Sequence, residues 1–236
     1  MPKKALTPSL ADERATPGGA AAVDRALSLL CAFRAGDAGL SLQELAERTR
    51  LYKSTALRLL ASLEHARLLL RQADGRYVLG PELARLQLVQ AGQFSLEAVV
   101  MPVLRELVAA TRESAAFHVR QGEQRLCLYR VDSPQLLRDH TRAGDLLPLE
   151  RGAGGRVLLA FGGAKGALYA RIRQAGLAEL SGDRVPDLSG ISAPVFGAAG
   201  ELVGALTLTL PSHRLQAGFG AAVKAAAARL SQRLGA

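Results

Sequence analysis

Lys53, Ser54, Thr55 and Arg58 crowd the front of the stretch LYKSTALRLLASLE (51–64). The leucines and alanines around them suffice for packing, which leaves four hydrogen-bonding side chains to account for. A helix start presents unpaired N–H groups and the positive end of the helix dipole, so it is an anion site in waiting. Lys53 and Ser54 stand where phosphates would be met, with Ser54 also a candidate cap. Thr55 and Arg58, about one turn apart and opposite the leucines, stand where base edges or adjacent phosphates would be met. Between Arg48 and Arg76 the chain carries seven Lys or Arg, among them Arg50, Arg71 and Arg76, against two Asp or Glu. A plain cap with a solvated arginine face fits the isolated stretch about as well. The flanking elements decide between the two.

From Ala20 to Ala35, Val23, Leu27, Leu30 and Cys31 recur at helical spacing, with Gly36 and Gly39 beyond the end. SLQELAERT opens with Ser41 and carries Glu44 three residues on, a reciprocal cap, and turns Leu42, Leu45 and Ala46 inward. The third helix runs to about Ala66 with Leu57, Leu60, Ala61 and Leu63 inward. LLLRQADGRYVLG then reads as a hairpin turning at Asp74-Gly75, which places Arg71 and Arg76 beside a wing tip. Three helices and a hairpin within about sixty residues predict a winged helix-turn-helix over 20–80, and its partner class is double-stranded DNA. Residues 1–19 are expected to be a disordered leader, and 81–93 a connecting helix.

The remainder, 94–236, changes period. A helix is expected from Ser95 to about Arg112, containing Pro102, then two strands around Gln121-Gly122, and a further strand from Leu136 to Arg142. RGAGGRVLLAF is a glycine-rich helix start, 164–175 continues helical, and ISAPVFGAAGELVGALTLTLP is a hairpin turning at Ala199-Gly200 before a last helix from about Leu215 to Leu234. Paired strands interrupted by helices predict a mixed α+β sheet domain. Ala153, Gly154 and Gly155 would offer unobstructed amides to a carboxylate. In ALTLTLP, Thr207 and Thr209 share one face while Leu206 and Leu208 take the other, although Thr is also a plain strand former.

Composition limits the alternatives. Hydrophobic residues at 49% and charged residues at 22% are those of an ordinary globular chain, and a net charge of +9 favours a polyanionic partner. The N-terminus lacks the apolar core of a signal peptide and no apolar run reaches membrane-span length, so a soluble, cytoplasmic, nucleoid-associated protein is expected. Cys31 and Cys127 follow no metal spacing and read as buried and reduced. His65, His118, His140 and His213 form no HExxH pattern, RGAGGR is neither GxGxxG nor GxxxxGKS, and no GxSxG occurs. No metal or cofactor is expected. The rival reading is an enzyme or metabolite-binding module without a DNA role.

AAVDRALSLLCAF, SLQELAERTRLYKSTALRLLASLE and DGRYVLGPEL closely resemble the DNA-binding half of IclR-family bacterial transcriptional regulators. YRVDSP, LPLERGAGGRVLLAF and ISAPVFGAAGELVGALTLTLP resemble that family's effector domain, related to GAF and PAS sheets. The resemblance implies a homodimer or dimer of dimers on a palindromic operator, responding to a small organic or aromatic acid. It also implies a pocket walled by Ala153, Gly154 and Gly155, with Thr207 and Thr209 turned to ligand. Gly190, where some relatives carry cysteine, would widen it, and Leu136 would supply an apolar wall. Two departures stand out: Tyr52 occupies the place of a frequent proline, and the segment between Phe161 and Ile172 is short.

Overall fold

Ser41 and Glu44 close a reciprocal cap, in which the Glu44 N–H donates to Ser41 Oγ at 3.2 Å and the Ser41 N–H donates to Glu44 Oε2 at 2.8 Å. It opens the second of three packed helices in the N-terminal unit. The computed structural model describes residues 8–13, 15–91 and 95–235, and the chain divides into two units, Met1–Phe94 and Ser95–Ala236. The first contains α1 (Leu10–Glu13), α2 (Ala21–Leu30), α3 (Leu42–Thr49), α4 (Lys53–His65), β1 (Leu69–Arg71), β2 (Tyr77–Leu79) and α5 (Pro81–Ala91). Leu29, Leu45, Leu60, Leu69 and Tyr77 form its core. The wing is tied back by backbone bonds between Leu40 and Tyr77 at 2.9 and 2.7 Å, and Gly75 (φ 85°) supplies the left-handed residue of its turn.

Several local expectations are corrected. The α2 helix ends at Leu30, short of Ala35, and Cys31 is exposed rather than buried. In α4 the buried face is Ala56, Leu60 and Leu63, following the i, i+4, i+7 rows, whereas Leu57 is 47% exposed and Ala61 also faces outward. Part of the expected leader is ordered: Ser9 caps α1 through the Asp12 N–H, and Ala11 is buried. Two ion pairs fix this turn, Asp12 to Arg25 at 2.8 Å and Glu13 to Arg50 at 2.8 Å.

The second unit contains α6 (Leu96–Thr111), β3 (Ser114–Gln121), β4 (Gln124–Val131), β5 (Leu146–Pro148), α7 (Gly152–Phe161), α8 (Ala167–Ala175), β6 (Ala178–Ser181), β7 (Leu188–Phe196), β8 (Leu202–Pro211) and α9 (Phe219–Gly235). The strands make one antiparallel sheet in the order β5-β4-β3-β8-β7-β6. One face buries Phe117, Ile191, Leu206 and Leu208 against α6 and α9. The other carries α7 and α8 over Ala178 and Ala205. This is a mixed α+β architecture. The expected strand at 136–142 is a loop instead, pinned where Arg130 donates to the buried Asp139 carboxylate, and the strand that pairs with β4 is β5. The α8 helix begins only after Gly163 and Gly166, both at positive φ, and α9 begins after Gly218, four residues later than expected.

Candidate nucleic-acid interface and ligand cavity

The front of α4 lies open. The helix starts at Lys53 with Tyr52 at the N-cap position, so Ser54 falls inside the first turn and is not the cap. Lys53 is exposed and its Nζ donates to Gln43 Oε1 at 3.4 Å. Ser54 and Arg58 are exposed and Thr55 is half-buried. Together with Leu59, Ser62 and the α2 residues Ala22 and Arg25, they line a groove of about 410 Å3. Arg25 was not foreseen as part of this surface, because an arginine within an apolar helix gives no sign of which neighbour it faces.

The remaining cations are more engaged. Arg50 sits at the left-handed C-cap of α3 (φ 55°), and its two Nη atoms donate to Glu13 at 2.8 and 3.1 Å. Arg71 lies over the Tyr77 ring at 5.8 Å. Arg76 donates to the Gly39 carbonyl at 2.9 Å and stands 3.5 Å from Glu44, so it ties the wing turn to the start of α3.

In the second unit, Ala153, Gly154, Gly190, Thr207 and Thr209 line one small cavity of about 30 Å3 between α7 and the sheet. Gly155 is not in that lining. A Cβ there would fall 2.1 Å from the Leu149 carbonyl, so this glycine serves close packing. Leu136 is fully exposed on the 132–145 loop and is not in the lining either, which corrects its expected place as an apolar wall.

The cavity also contains buried titratable groups that the sequence did not reveal. His118 is 4% exposed; its Nδ1 lies 3.3 Å from Thr207 Oγ1, which is 2.9 Å from Ser192 Oγ. Burial, reinforced by the positive charges of Arg125, Arg130 and Arg184, holds the imidazole well below its ordinary pKa and therefore neutral. Arg125 is 3% exposed and donates from Nη1 to the Arg151 carbonyl at 3.1 Å. Burial and then Arg184 lower its pKa to about 10, which still leaves it charged at neutral pH. Its Nε and His118 Nε2 are buried without a hydrogen-bond partner among the described residues. The other arginines of the lining have carboxylates: Arg130 meets Asp132 and Asp139, and Arg184 meets Asp139.

A bulge explains why Arg125 escaped notice. Phe117 pairs with Tyr129, but His118 pairs with Cys127, so Leu128 is an extra residue in β4. Strict alternation would put Arg125 on the same face as Tyr129, which stacks on Phe117 in the opposite core. The extra residue turns Arg125 over to the face of His118 and α7.

Two family profiles match this chain: the IclR helix-turn-helix domain over residues 22–73, and the C-terminal domain of IclR bacterial transcriptional regulators over 90–170. The chain belongs to the IclR family. Curated IclR relatives include HTH-type transcriptional regulator Rv1719 of Mycobacterium tuberculosis, 33% identical over 61% of this chain and 55% of that protein. TtgV of Pseudomonas putida is 34% identical over 61% of this chain and 55% of its own length. The chain thus spans about half the length of these curated relatives. Among solved structures, an IclR-type regulator from Silicibacter sp. TM1040 superposes with a TM-score of 0.80 at 24% identity, covering 91% of this chain and 96% of that one. An IclR homologue from Microbacterium hydrocarbonoxydans, complexed with 4-hydroxybenzoate, gives a TM-score of 0.79 at 22% identity, with 90% and 98% covered. These two likenesses establish the fold. Members of the IclR family are transcriptional regulators rather than enzymes.

Proposed function

We propose that this chain is a ligand-responsive transcriptional regulator, whose residues 20–80 read a palindromic operator and whose residues 94–236 sense a small organic acid, with 81–93 joining them. The observation that carries this reading is the exposed polar front of α4, where Lys53, Ser54 and Arg58 lie beside an arginine-bearing wing. Lys53 and Ser54 take phosphates at the helix start, Thr55 and Arg58 read base edges or flanking phosphates, and Arg50, Arg71 and Arg76 serve the backbone near the turn and wing. The cavity at Ala153, Gly154, Gly190, Thr207 and Thr209 takes the effector, with Gly155 supporting its wall. Among the described residues no helix is long and apolar enough to cross a membrane, and a DNA partner places the protein with the nucleoid in the cytoplasm.

One small winged helix makes too few base contacts to be selective in a genome, so two reading heads are required. A homodimer, or a dimer of dimers, supplies them. Val23 and Leu27 on α2 and Leu86, Leu88 and Val89 on α5 are exposed apolar residues available for that contact. The test is a gel shift on DNA from upstream of the chain's own gene, with a random fragment of equal length as control, combined with light scattering. Selective binding by a dimer or tetramer supports the reading. Equal affinity for both fragments, or a monomer occupying a full operator, overturns it.

A further inference from the structure

We infer that α1 is a built-in competitor for DNA: its carboxylates, Asp12 and Glu13, hold two cations of the reading surface in the place of backbone phosphates and must let go when a duplex binds. This rests on the DNA-binding reading given above. Arg25 donates to Asp12 Oδ1 from Nε at 2.9 Å and from Nη2 at 2.8 Å. Arg50 donates from its two Nη atoms to the two oxygens of Glu13, at 2.8 and 3.1 Å. A guanidinium fork meets phosphate oxygens in the same way, so each carboxylate stands in for a phosphate.

Both cations border the polar front of α4. Arg25 lines one groove with Ser54, Thr55 and Arg58, and Arg50 stands three residues ahead of the helix. Lys53, by contrast, meets the neutral Gln43, and Arg58 is exposed. Of the four cations around this front, α1 thus neutralises the two at its margin and leaves Lys53 and Arg58 to meet DNA. Such a pattern lowers the attraction to phosphate in general while leaving the base-reading position untouched.

The turn is also held lightly enough to be displaced. A four-residue helix does not persist by itself, because nucleation is unfavourable. It is kept in place by the Ser9 cap, the burial of Ala11 and the two ion pairs. The Ser9 hydroxyl donates to Asp12 Oδ2 at 2.6 Å and so leaves Oδ1 for Arg25. Both ion pairs are partly exposed, hence screened by salt and readily exchanged. One guanidinium does not hold its carboxylate and a phosphate in the same fork, so docked α1 and bound duplex oppose each other. By linkage, each weakens the other by the same factor.

The experiment compares wild type with two double variants of the full chain. Asp12→Asn/Glu13→Gln removes the competing carboxylates, and Glu97→Gln/Glu123→Gln removes the same charge from exposed positions of the second unit. Fluorescence anisotropy follows a duplex from upstream of the chain's own gene and a random duplex of equal length, between 50 and 200 mM salt. Asp12→Asn/Glu13→Gln should bind both duplexes about tenfold tighter, with a salt dependence steeper by about two units of log K per log salt. The ratio between the duplexes should stay the same, and the Glu97/Glu123 control should move much less. Displacement is read separately from the thiol introduced by Ala11→Cys in a Cys31→Ser background, which should alkylate slowly in the free protein and faster once the upstream duplex is added. The inference is overturned if the control matches Asp12→Asn/Glu13→Gln, if the gain is confined to one duplex, or if the introduced thiol reacts fast without DNA or no faster with it. Unchanged affinity and slope in Asp12→Asn/Glu13→Gln sink the competitor alone, whereas no binding of either duplex by any of the proteins sinks the DNA-binding reading with it.

Discussion

Glu13 grips Arg50 through both guanidinium Nη atoms, so the cation three residues ahead of α4 carries its own counter-charge. Any DNA phosphate approaching Arg50 competes with that carboxylate. The pair is partly exposed and worth about 0–1 kcal/mol. Glu13→Gln should therefore tighten DNA binding by up to about fivefold and steepen the salt dependence by about one unit of log K per log salt. Fluorescence anisotropy between 50 and 200 mM salt measures both, and an unchanged slope would show that Arg50 does not reach phosphate.

Arg58 and Lys53 should fail differently. Arg58→Ala should lose about 1–3 kcal/mol of discrimination at particular operator positions, while Lys53→Ala should weaken all sequences alike and lower the salt slope by about one. Binding to a panel of single-substituted operators distinguishes them. Equal losses on operator and random DNA for Arg58→Ala would remove it from base reading.

His118 should make the ligand-free protein sensitive to mild acid. Its folded pKa lies below the unfolded value, so the unfolded chain binds the proton first. The stability it contributes is complete above about pH 6.5 and is lost progressively as pH falls from there towards the depressed folded value. Asp139, whose burial is more than offset by Arg130, Thr141 and Arg184 together so that its pKa is also depressed, acts in the same direction only below about pH 4. Urea melts at pH 7.5 and 5.5 should show wild type losing stability and His118→Gln losing less. Parallel losses would assign the acid sensitivity to other groups.

The two cysteines should differ sharply towards alkylation. Cys31 is exposed, whereas Cys127 is buried and its thiol is pushed up to about 11, chiefly by burial. Iodoacetamide on the native protein should add one equivalent, abolished by Cys31→Ser and unaffected by Cys127→Ser. Two equivalents at equal rates would mean that the β4 strand opens readily.

The helix-turn-helix was legible because its signals are local. The Ser41/Glu44 cap, the Gly75 turn and the α4 pattern each lie within a few residues, and the mixed α+β class followed from paired strands in the same way. What was hidden depended on distant partners. Ala11 looks like part of a polar tail until Arg25 and Arg50 are brought to Asp12 and Glu13. Leu136 lies in a stretch that could have been a strand, but Arg130 draws Asp139 into a buried ion pair and the segment is held as a loop. The pocket was approached through its glycines and threonines. Its charge, carried by Arg125, depends on a register that alternation alone could not supply.

That register makes the sign of the cavity a matter of counting. Arg125 and Arg130 are five apart, and an odd separation on an unbroken strand sends two side chains to opposite sides. They share a side because Leu128 is supernumerary. Removing that single residue would leave a regular ladder, with Tyr129 still opposite Phe117 and Cys127 opposite His118, and Arg125, then four positions from Arg130, would stay beneath α7. A residue gained in β3 opposite Leu128 would instead pair it off, restore strict alternation and turn Arg125 to the other face, so the charge beneath α7 changes through a one-residue gain without any substitution. When a relative is aligned to this chain, the gap placed beside Leu128 decides whether the two chains are judged to carry the same charge beneath α7.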